Sequence, residues 1–164
     1  MTDPGTDKML GPLADFAGRW EGGGSGHYPT IEDFSYEEEI EFAWDGRPFL
    51  RYLSRTWSPG RARPMHTETG FLRRIGDDGA ELLVTQPTGF TELHRGEVRD
   101  GRFAPVQWSI VASPDAKPVH EVRRRFTVEG PELGYDLWMA HADTPLTHHL
   151  RARLRRRAGH AQRE

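Results

Sequence analysis

The chain contains no cysteine among its 164 residues. This absence excludes disulfide bonds, thiolate nucleophiles and cysteine-based zinc sites, and it leaves imidazole as the obvious metal or haem ligand. The sequence also lacks an apolar run of the roughly 20 residues needed to cross a bilayer. Its N-terminus does not show the charged-then-apolar pattern of a signal peptide. We therefore expect a cytoplasmic protein that has no membrane partner.

Glycine, in contrast, is concentrated in one segment. Residues 18–31 hold five glycines together with Trp20 and Tyr28. Each interior glycine would cost a helix about 1 kcal/mol relative to alanine, and the two aromatic residues favour burial. Glycines within a strand-like run mark a bulge, a bend or the close approach of a ligand or another backbone. We interpret the segment as a strongly bent strand near the start of a closed sheet.

Strand patterns occupy most of the remaining chain. From residue 34 to residue 44 the even positions are mostly apolar or aromatic and the odd positions are mostly acidic, which is the period-2 pattern of a strand with one buried face. Comparable runs, separated by turn signals, lie at residues 49–57, 65–75, 82–85, 90–98, 103–111, 119–128, 133–141 and 146–157. This spacing is typical of a barrel or sandwich.

The number of strands favours closure. We predict an all-β fold, a closed antiparallel β-barrel of about ten strands, because closure removes exposed strand edges. A short helical turn is expected at residues 10–16. A single domain is predicted over residues 10–158, with flexible tails at residues 1–9 and 159–164. A barrel of more than eight strands leaves room inside for a ligand.

The charged residues are distributed unevenly. Residues 32–41 hold six acids and no base, and residues 150–157 hold five arginines and no acid. The basic segment raises the possibility of nucleic-acid binding, but its alternation of apolar and basic residues favours the solvent face of a terminal strand. The acidic run is either a cation site or a solvated outer face. Glu38 is the exception, because it falls in the inward phase of its strand.

The histidines are the candidate ligands. His148 and His149 follow a predicted turn, and in a regular strand their rings point to opposite faces, so only one can enter a cavity. If Leu150 faces the interior, strict alternation places His148 inside and His149 outside. His66 lies near Glu68, which could orient it. The ordinary alternatives are polar residues at a turn exit for the first pair and a cross-strand hydrogen-bonding pair for His66.

Several motifs resemble one known family. The pattern Gly18-x-Trp20-x-Gly22-x-Gly24, continuing to Tyr28-Pro29-Thr30-Ile31, is similar to the signature of the nitrobindins. The stretches at residues 36–42, 46–50, 66–73 and 145–150 agree with the family in order and spacing. The resemblance extends over about residues 10–157, which is nearly the whole chain.

The resemblance implies a function and a site. Nitrobindins are ten-stranded barrels, similar in appearance to fatty-acid-binding proteins, that hold ferric haem b in a wide surface cleft, isomerise peroxynitrite to nitrate and bind nitric oxide reversibly. The resemblance also implies that His149 is the proximal haem ligand and that Thr30 contacts the haem. The implied partners are these small molecules and not nucleic acid, and we expect a monomer or a homodimer.

Two alternatives stay open at this point. The resemblance selects His149, whereas strict alternation selects His148; a β-bulge near the turn would reconcile them. The barrel could instead be a non-catalytic carrier of a fatty acid or another apolar ligand. If haem is the ligand, the glycines at positions 22 and 24 would let the backbone approach the porphyrin without a Cβ clash.

Overall fold

The computed structural model describes residues 4–158 of the chain. It begins with helix α1, Pro4–Leu10, which is followed by a 3-10 helix at Gly11–Phe16. The 3-10 helix confirms the helical turn that the sequence predicts. Helix α1, however, occupies most of the segment assigned to an N-terminal tail, and it buries Thr6 and Leu10. Residues 1–3 and the predicted tail at 159–164 lie outside the described residues, and the domain limits stay a prediction.

Eleven strands follow in the described part of the chain, and they agree with the predicted runs except at residues 103–111, where the structure has two strands separated by residues 104–106. They are β1 Gly18–Tyr28, β2 Ile31–Trp44, β3 Phe49–Trp57, β4 Pro64–Ile75, β5 Gly79–Thr85, β6 Phe90–Arg99, β7 Arg102–Phe103, β8 Gln107–Ala112, β9 Val119–Glu129, β10 Glu132–His141 and β11 Thr144–Arg156. A second 3-10 helix, Pro59–Arg61, connects β3 to β4.

The strands close into a barrel. Each of β1 to β7 pairs with its neighbour in sequence, β7 pairs with β9, and β9, β10 and β11 continue the sheet back to β1. All of these pairs are antiparallel. Strand β8 pairs with β6 as an additional strand outside the ten-strand circuit. The structure therefore confirms the predicted closed antiparallel barrel of about ten strands.

One end of the barrel is filled by apolar side chains. Phe16 of the 3-10 helix packs edge-on against Phe42 of β2, with ring centroids 5.9 Å apart. Trp20 is fully buried nearby, and its indole Nε1 donates a hydrogen bond to the Phe16 carbonyl oxygen at 2.9 Å. The N-terminal helices therefore close this end, with Leu13 and Phe16 fully buried. The opposite end holds the cavity described below.

The glycines of β1 allow close contact with both neighbouring strands. A Cβ on Gly22 would overlap the Arg153 carbonyl oxygen and lie 2.7 Å from the Leu154 Cα of β11. A Cβ on Gly24 would overlap the ring of Tyr36 on β2. The register with β2 also shifts between Gly26 and Tyr28, which marks an irregularity within the strand. The segment is thus a strand of the closed sheet, as predicted, with an irregularity near its end; the strong bend stays a prediction.

The close contact at Gly22 predicts a stability effect. Gly22→Ala should lower the free energy of unfolding by about 1–3 kcal/mol, because the added methyl meets backbone atoms that cannot move aside. Gly134→Ala is the matched control, since a Cβ there has only the Ala152 carbonyl oxygen nearby, at 3.8 Å. Urea denaturation of both variants measures the difference. Equal stability of the two variants would contradict this interpretation of the glycine segment.

Candidate functional site

A cavity of about 440 Å³ lies at the end of the barrel opposite the N-terminal helices. Its volume falls within the range of about 300–1,000 Å³ that is usual for small-molecule sites. Exposed residues, among them Thr30, Ile31, Met65 and Lys117, line its mouth. The apolar side chains of its walls are those of Phe34, Phe90, Val119, Val122, Leu137, Met139 and Leu150.

A bulge in β11 places His149 in the cavity wall. Leu150 pairs with Leu137 of β10, but the next residue of β10, Trp138, pairs with His148. His149 is therefore an extra residue in β11, and it lines the cavity together with Leu150. This is the bulge that would reconcile the sequence alternation with the family motif.

The surroundings of His149 define its chemical state. Its Nδ1 lies 3.0 Å from the His27 carbonyl oxygen, so Nδ1 carries the proton and donates it, and the lone pair is on Nε2. Within residues 4–158, Nε2 has no hydrogen-bond partner. The ring contacts Tyr28 and Phe34 at centroid distances of 5.2 and 6.2 Å. Burial lowers the pKa of His149 more than the bond to His27 raises it, which favours the neutral imidazole.

His148 lies on the outer side of the strand. Its Nε2 is 2.8 Å from Asp136 Oδ1, and its ring stacks on His27 at 5.3 Å. Arg125 and Arg151 also bind the Asp136 carboxylate, at 2.6 and 2.7 Å. His148 does not line the cavity and belongs to a charged cluster on the exterior.

Of the other predicted motif residues, Thr30 lies at the cavity, whereas the glycines and Trp20 do not. Thr30 lies in the turn between β1 and β2, exposed at the cavity mouth. Gly18, Trp20, Gly22 and Gly24 do not line the cavity. The structure thus gives the glycines a role other than the expected approach of the backbone to a porphyrin, because the space of the missing side chains is filled by β11 and the ring of Tyr36.

A buried ion cluster forms one part of the cavity floor. Arg124 binds Glu68 through Nη1 and Nη2 at 2.7 and 3.0 Å. It also binds Glu92 through Nε and Nη2 at 2.7 and 3.0 Å. Burial alone would raise the pKa values of both carboxyls, but the Arg124 guanidinium holds them below their usual range. His94 Nε2 lies 2.8 Å from Glu92 Oε2 and completes the cluster.

A second buried chain surrounds Glu38. Ser54 Oγ donates to Glu38 Oε1 at 2.6 Å, and Tyr135 Oη donates to Glu38 Oε2 at 2.7 Å. The hydroxyls of Tyr36 and Tyr135 are 2.6 Å apart. Burial raises the pKa of Glu38 to about 7, although both hydroxyl donors oppose this shift. Sequence alternation already placed Glu38 on the inward face.

His66 and Glu68 occupy neighbouring inward positions on β4. His66 lines the cavity, and its Nε2 lies 3.5 Å from Glu68 Oε2, so the expected contact is present. Sequence analysis did not single out Glu92 or Arg124. The sequence nevertheless contains a signal for Arg124, because this residue lies in the inward-facing phase of β9 together with Val122 and Phe126.

Apart from the buried Glu38, the charged runs of the sequence lie on the outer face, and several of their side chains form ion pairs. Of the β11 arginines, Arg151 binds Asp136, Arg155 lies 3.7 Å from Glu132, and Arg157, just beyond the strand, binds Glu21. The contacts agree with the solvent-face interpretation of the arginine-rich segment.

In the acidic run, Glu39 of β2 binds Arg61 at 2.7 Å and Arg55 at 3.0 Å. Glu37 lies 3.8 Å from Arg61. This run is therefore a salt-bridged outer surface. In the part of the chain that the structure describes, no helix has the length and apolar character to span a membrane.

Comparisons with known proteins place the chain in a family. Residues 9–156 match the THAP4-like, haem-binding β-barrel domain. Peroxynitrite isomerase 1 of Rhodococcus jostii (strain RHA1) is 62% identical over 144 residues, which are 88% of this chain and 82% of that protein. The peroxynitrite isomerase of Nocardia farcinica is 47% identical over 151 residues, 90% of each chain.

A solved structure agrees with these matches. The crystal structure of Rv2717c from M. tuberculosis superposes with a TM-score of 0.82 at 36% identity, and covers 96% of this chain and 100% of that one. The chain therefore belongs to the THAP4-like haem-binding β-barrel family, the nitrobindins.

Proposed function

We propose that the chain binds haem b through His149 Nε2 and that the haem-loaded protein isomerises peroxynitrite to nitrate. One observation carries the proposal: His149 Nδ1 donates to the His27 carbonyl oxygen, which leaves Nε2 unprotonated in the wall of an apolar cavity. Histidines that ligate metals commonly donate their other ring N–H to a carbonyl or carboxylate in this way. The names of the relatives from R. jostii and N. farcinica support the reaction.

The cavity fits the requirements of haem. A porphyrin needs apolar walls, one strong axial donor and an opening through which its carboxylates reach water. Phe34 and Leu137 contribute to the walls, and His149 is the axial donor. At the mouth, Thr30 and Lys117 are exposed polar side chains that would hold the carboxylates.

The chain itself has few chemical tasks. Bound haem supplies the redox and Lewis-acid chemistry that breaks the peroxynitrite O–O bond. His149 would hold the iron, and the His27 carbonyl and the rings of Tyr28 and Phe34 orient its imidazole for this role. The apolar walls exclude water and confine the reacting fragments. Because the cavity opens to solvent, nitric oxide is a further small ligand for the same site. The assembly state, monomer or homodimer, and the cytoplasmic location stay predictions.

The floor of the cavity disfavours the fatty-acid carrier alternative. A fatty-acid carboxylate needs a free cation inside the barrel. Arg124 is the buried cation of the floor, and its guanidinium is engaged by Glu68 and Glu92.

The first test combines a spectrum with an assay. Purified protein titrated with haemin should develop a Soret band, and it should then accelerate peroxynitrite decay and raise the yield of nitrate over nitrite. Stopped-flow absorbance and anion chromatography measure the two effects, with haem-free protein as the control. Tight binding of a long-chain fatty acid by protein that takes up no haemin would instead support the carrier alternative.

The second test concerns the ligand. His149→Ala should lose the Soret band or bind haem much more weakly, because it removes the axial nitrogen. His148→Ala is the matched control and should bind haem as the parent protein does, since His148 contacts Asp136 on the exterior. Circular dichroism checks that both variants are folded. Normal haem binding by the first variant and loss by the second would show that the assignment is reversed.

The third test uses pH. A proton and the iron compete for Nε2 of His149, and the pKa of this group is lowered from its usual 6.5. Haem affinity should therefore stay constant from neutral pH down to about 6.5 and decrease only at more acidic pH. Haemin titrations at a series of pH values measure this, and NMR of the haem-free protein gives the protonation midpoint of His149 directly. A midpoint above 6.5 would contradict the assigned environment.

A further inference from the structure

The tyrosines of the chain are gathered in one place. All four of them, Tyr28, Tyr36, Tyr52 and Tyr135, line the cavity. The five tryptophans, all within residues 4–158, line none of it. The easily oxidised rings of the cavity are therefore phenols, and three of the four are buried beside carboxyl groups.

We propose that Tyr135 is a redox-active residue that gives one electron to nitrogen dioxide in the cavity and its phenolic proton to Glu38. The proposal deepens the proposed function and rests on it, because nitrogen dioxide is the one-electron oxidant released when the O–O bond of peroxynitrite breaks. The hydroxyl of Tyr36 is hydrogen-bonded to that of Tyr135, so the two phenols form a pair.

The geometry provides the proton acceptor that the oxidation needs. A phenol that loses an electron becomes a strong acid, so its oxidation is easy only where a base already holds the proton. Tyr135 Oη lies 2.7 Å from Glu38 Oε2, within the distance over which a general base accepts a proton. Ser54 Oγ, 2.6 Å from the other carboxylate oxygen, keeps Glu38 in this orientation.

The step balances in atoms and charge. One electron passes from the Tyr135 ring to nitrogen dioxide, which becomes nitrite. The O–H bond of Tyr135 breaks and an O–H bond forms on the ionised Glu38, so the products are a neutral phenoxyl radical, a carboxylic acid and nitrite. A second nitrogen dioxide then forms a C–N bond to the ring carbon next to the phenolic carbon. The hydrogen of that ring carbon moves to the phenolic oxygen, which gives 3-nitrotyrosine.

The charges around Glu38 and Glu68 favour the oxidation of Tyr135 over that of Tyr52. Tyr52 Oη lies 2.6 Å from Glu68 Oε1, a similar distance. Glu68, however, is bound twice by Arg124, which outweighs the effect of its burial and holds its pKa well below the usual range, so that Glu68 is a poor proton acceptor.

Glu38 differs because it has no direct contact with a cation. It faces Glu68 from β4, Arg124 from β9 and Tyr135 from β10, and its burial raises its pKa to about 7, so it accepts a proton readily. Tyr28 also lines the cavity, but its hydroxyl has no basic partner. Its hydroxyl donates to the Met139 carbonyl oxygen at 3.1 Å, a group that cannot accept the proton.

The experiment follows the radical and its product. Haem-loaded protein is mixed with peroxynitrite, frozen for electron paramagnetic resonance, and in parallel digested for mass spectrometry of 3-nitrotyrosine. We expect a tyrosyl radical, with nitration concentrated at Tyr135 and Tyr36. Tyr135→Phe should reduce the radical signal several-fold, whereas the matched control Tyr52→Phe should leave it nearly unchanged, because the carboxylate partner of Tyr52, Glu68, is a poor proton acceptor. Nitration spread equally over all four tyrosines, or a radical that persists in Tyr135→Phe, would overturn the proposal.

The role of Glu38 has its own readout. Glu38→Gln is nearly isosteric and keeps a hydrogen-bonding side chain, but its amide cannot take up the proton. In the parent protein the radical yield should rise with pH through about 7, as Glu38 becomes ionised. In the variant the yield should be low and independent of pH in this range. An identical pH dependence in both proteins would show that Glu38 is not the acceptor.

A haem-free arm separates this proposal from the proposed function. Haem-free protein exposed to nitrogen dioxide from pulse radiolysis of a nitrite solution should show the same radical at Tyr135, since the chain supplies both the phenol and the base. If this radical forms but the haem-loaded protein does not isomerise peroxynitrite, the proposed function fails and the redox role of Tyr135 stands. If isomerisation proceeds but neither arm gives a Tyr135 radical, the redox role fails alone.

Discussion

The candidate site depends on the pairing of the first strand with the last. Gly26 of β1 lies opposite Leu150 of β11, and this register brings the His27 carbonyl oxygen to Nδ1 of His149, although 122 residues separate them in sequence. The two backbones approach closely because Gly22 carries no side chain where β11 passes. Barrel closure and the tautomer of the candidate ligand are therefore consequences of the same strand pairing.

The interior charge then determines what the cavity can hold. Glu38, Glu68 and Glu92 are buried in the same floor as Arg124. A buried carboxylate is tolerated only where partners satisfy it, and two of the three share the guanidinium while Glu38 relies on hydroxyl donors. Among residues 4–158, the floor offers no free cation to an anionic headgroup, and Glu38 is its carboxyl that can take up a proton near neutral pH.

Sequence alternation predicted the strands well because a barrel wall has one buried face throughout. Strand β3 runs from Phe49 to Trp57, the same limits as the predicted run. Helix α1 was missed because its seven residues are too few for a helical period to be visible, and of residues 5–10 only Thr6 and Leu10 are buried. The Arg124–Glu68 contact joins residues 56 positions apart, and no local pattern records which inward charges meet.

Strand alternation alone does not predict that His149 lies in the cavity wall. Counted from Leu150, strict alternation assigns the interior to His148. Alternation holds for the regularly paired residues of β11 from Leu150 to Arg155. The bulge adds one residue, so that His149 and Leu150 both line the cavity while His148 stays outside with Asp136. A regular strand could not supply adjacent cavity-lining residues at this point. Departures from local regularity concentrate at functional sites, and the bulge between Leu150 and His148 lies at His149, the residue proposed to bind iron.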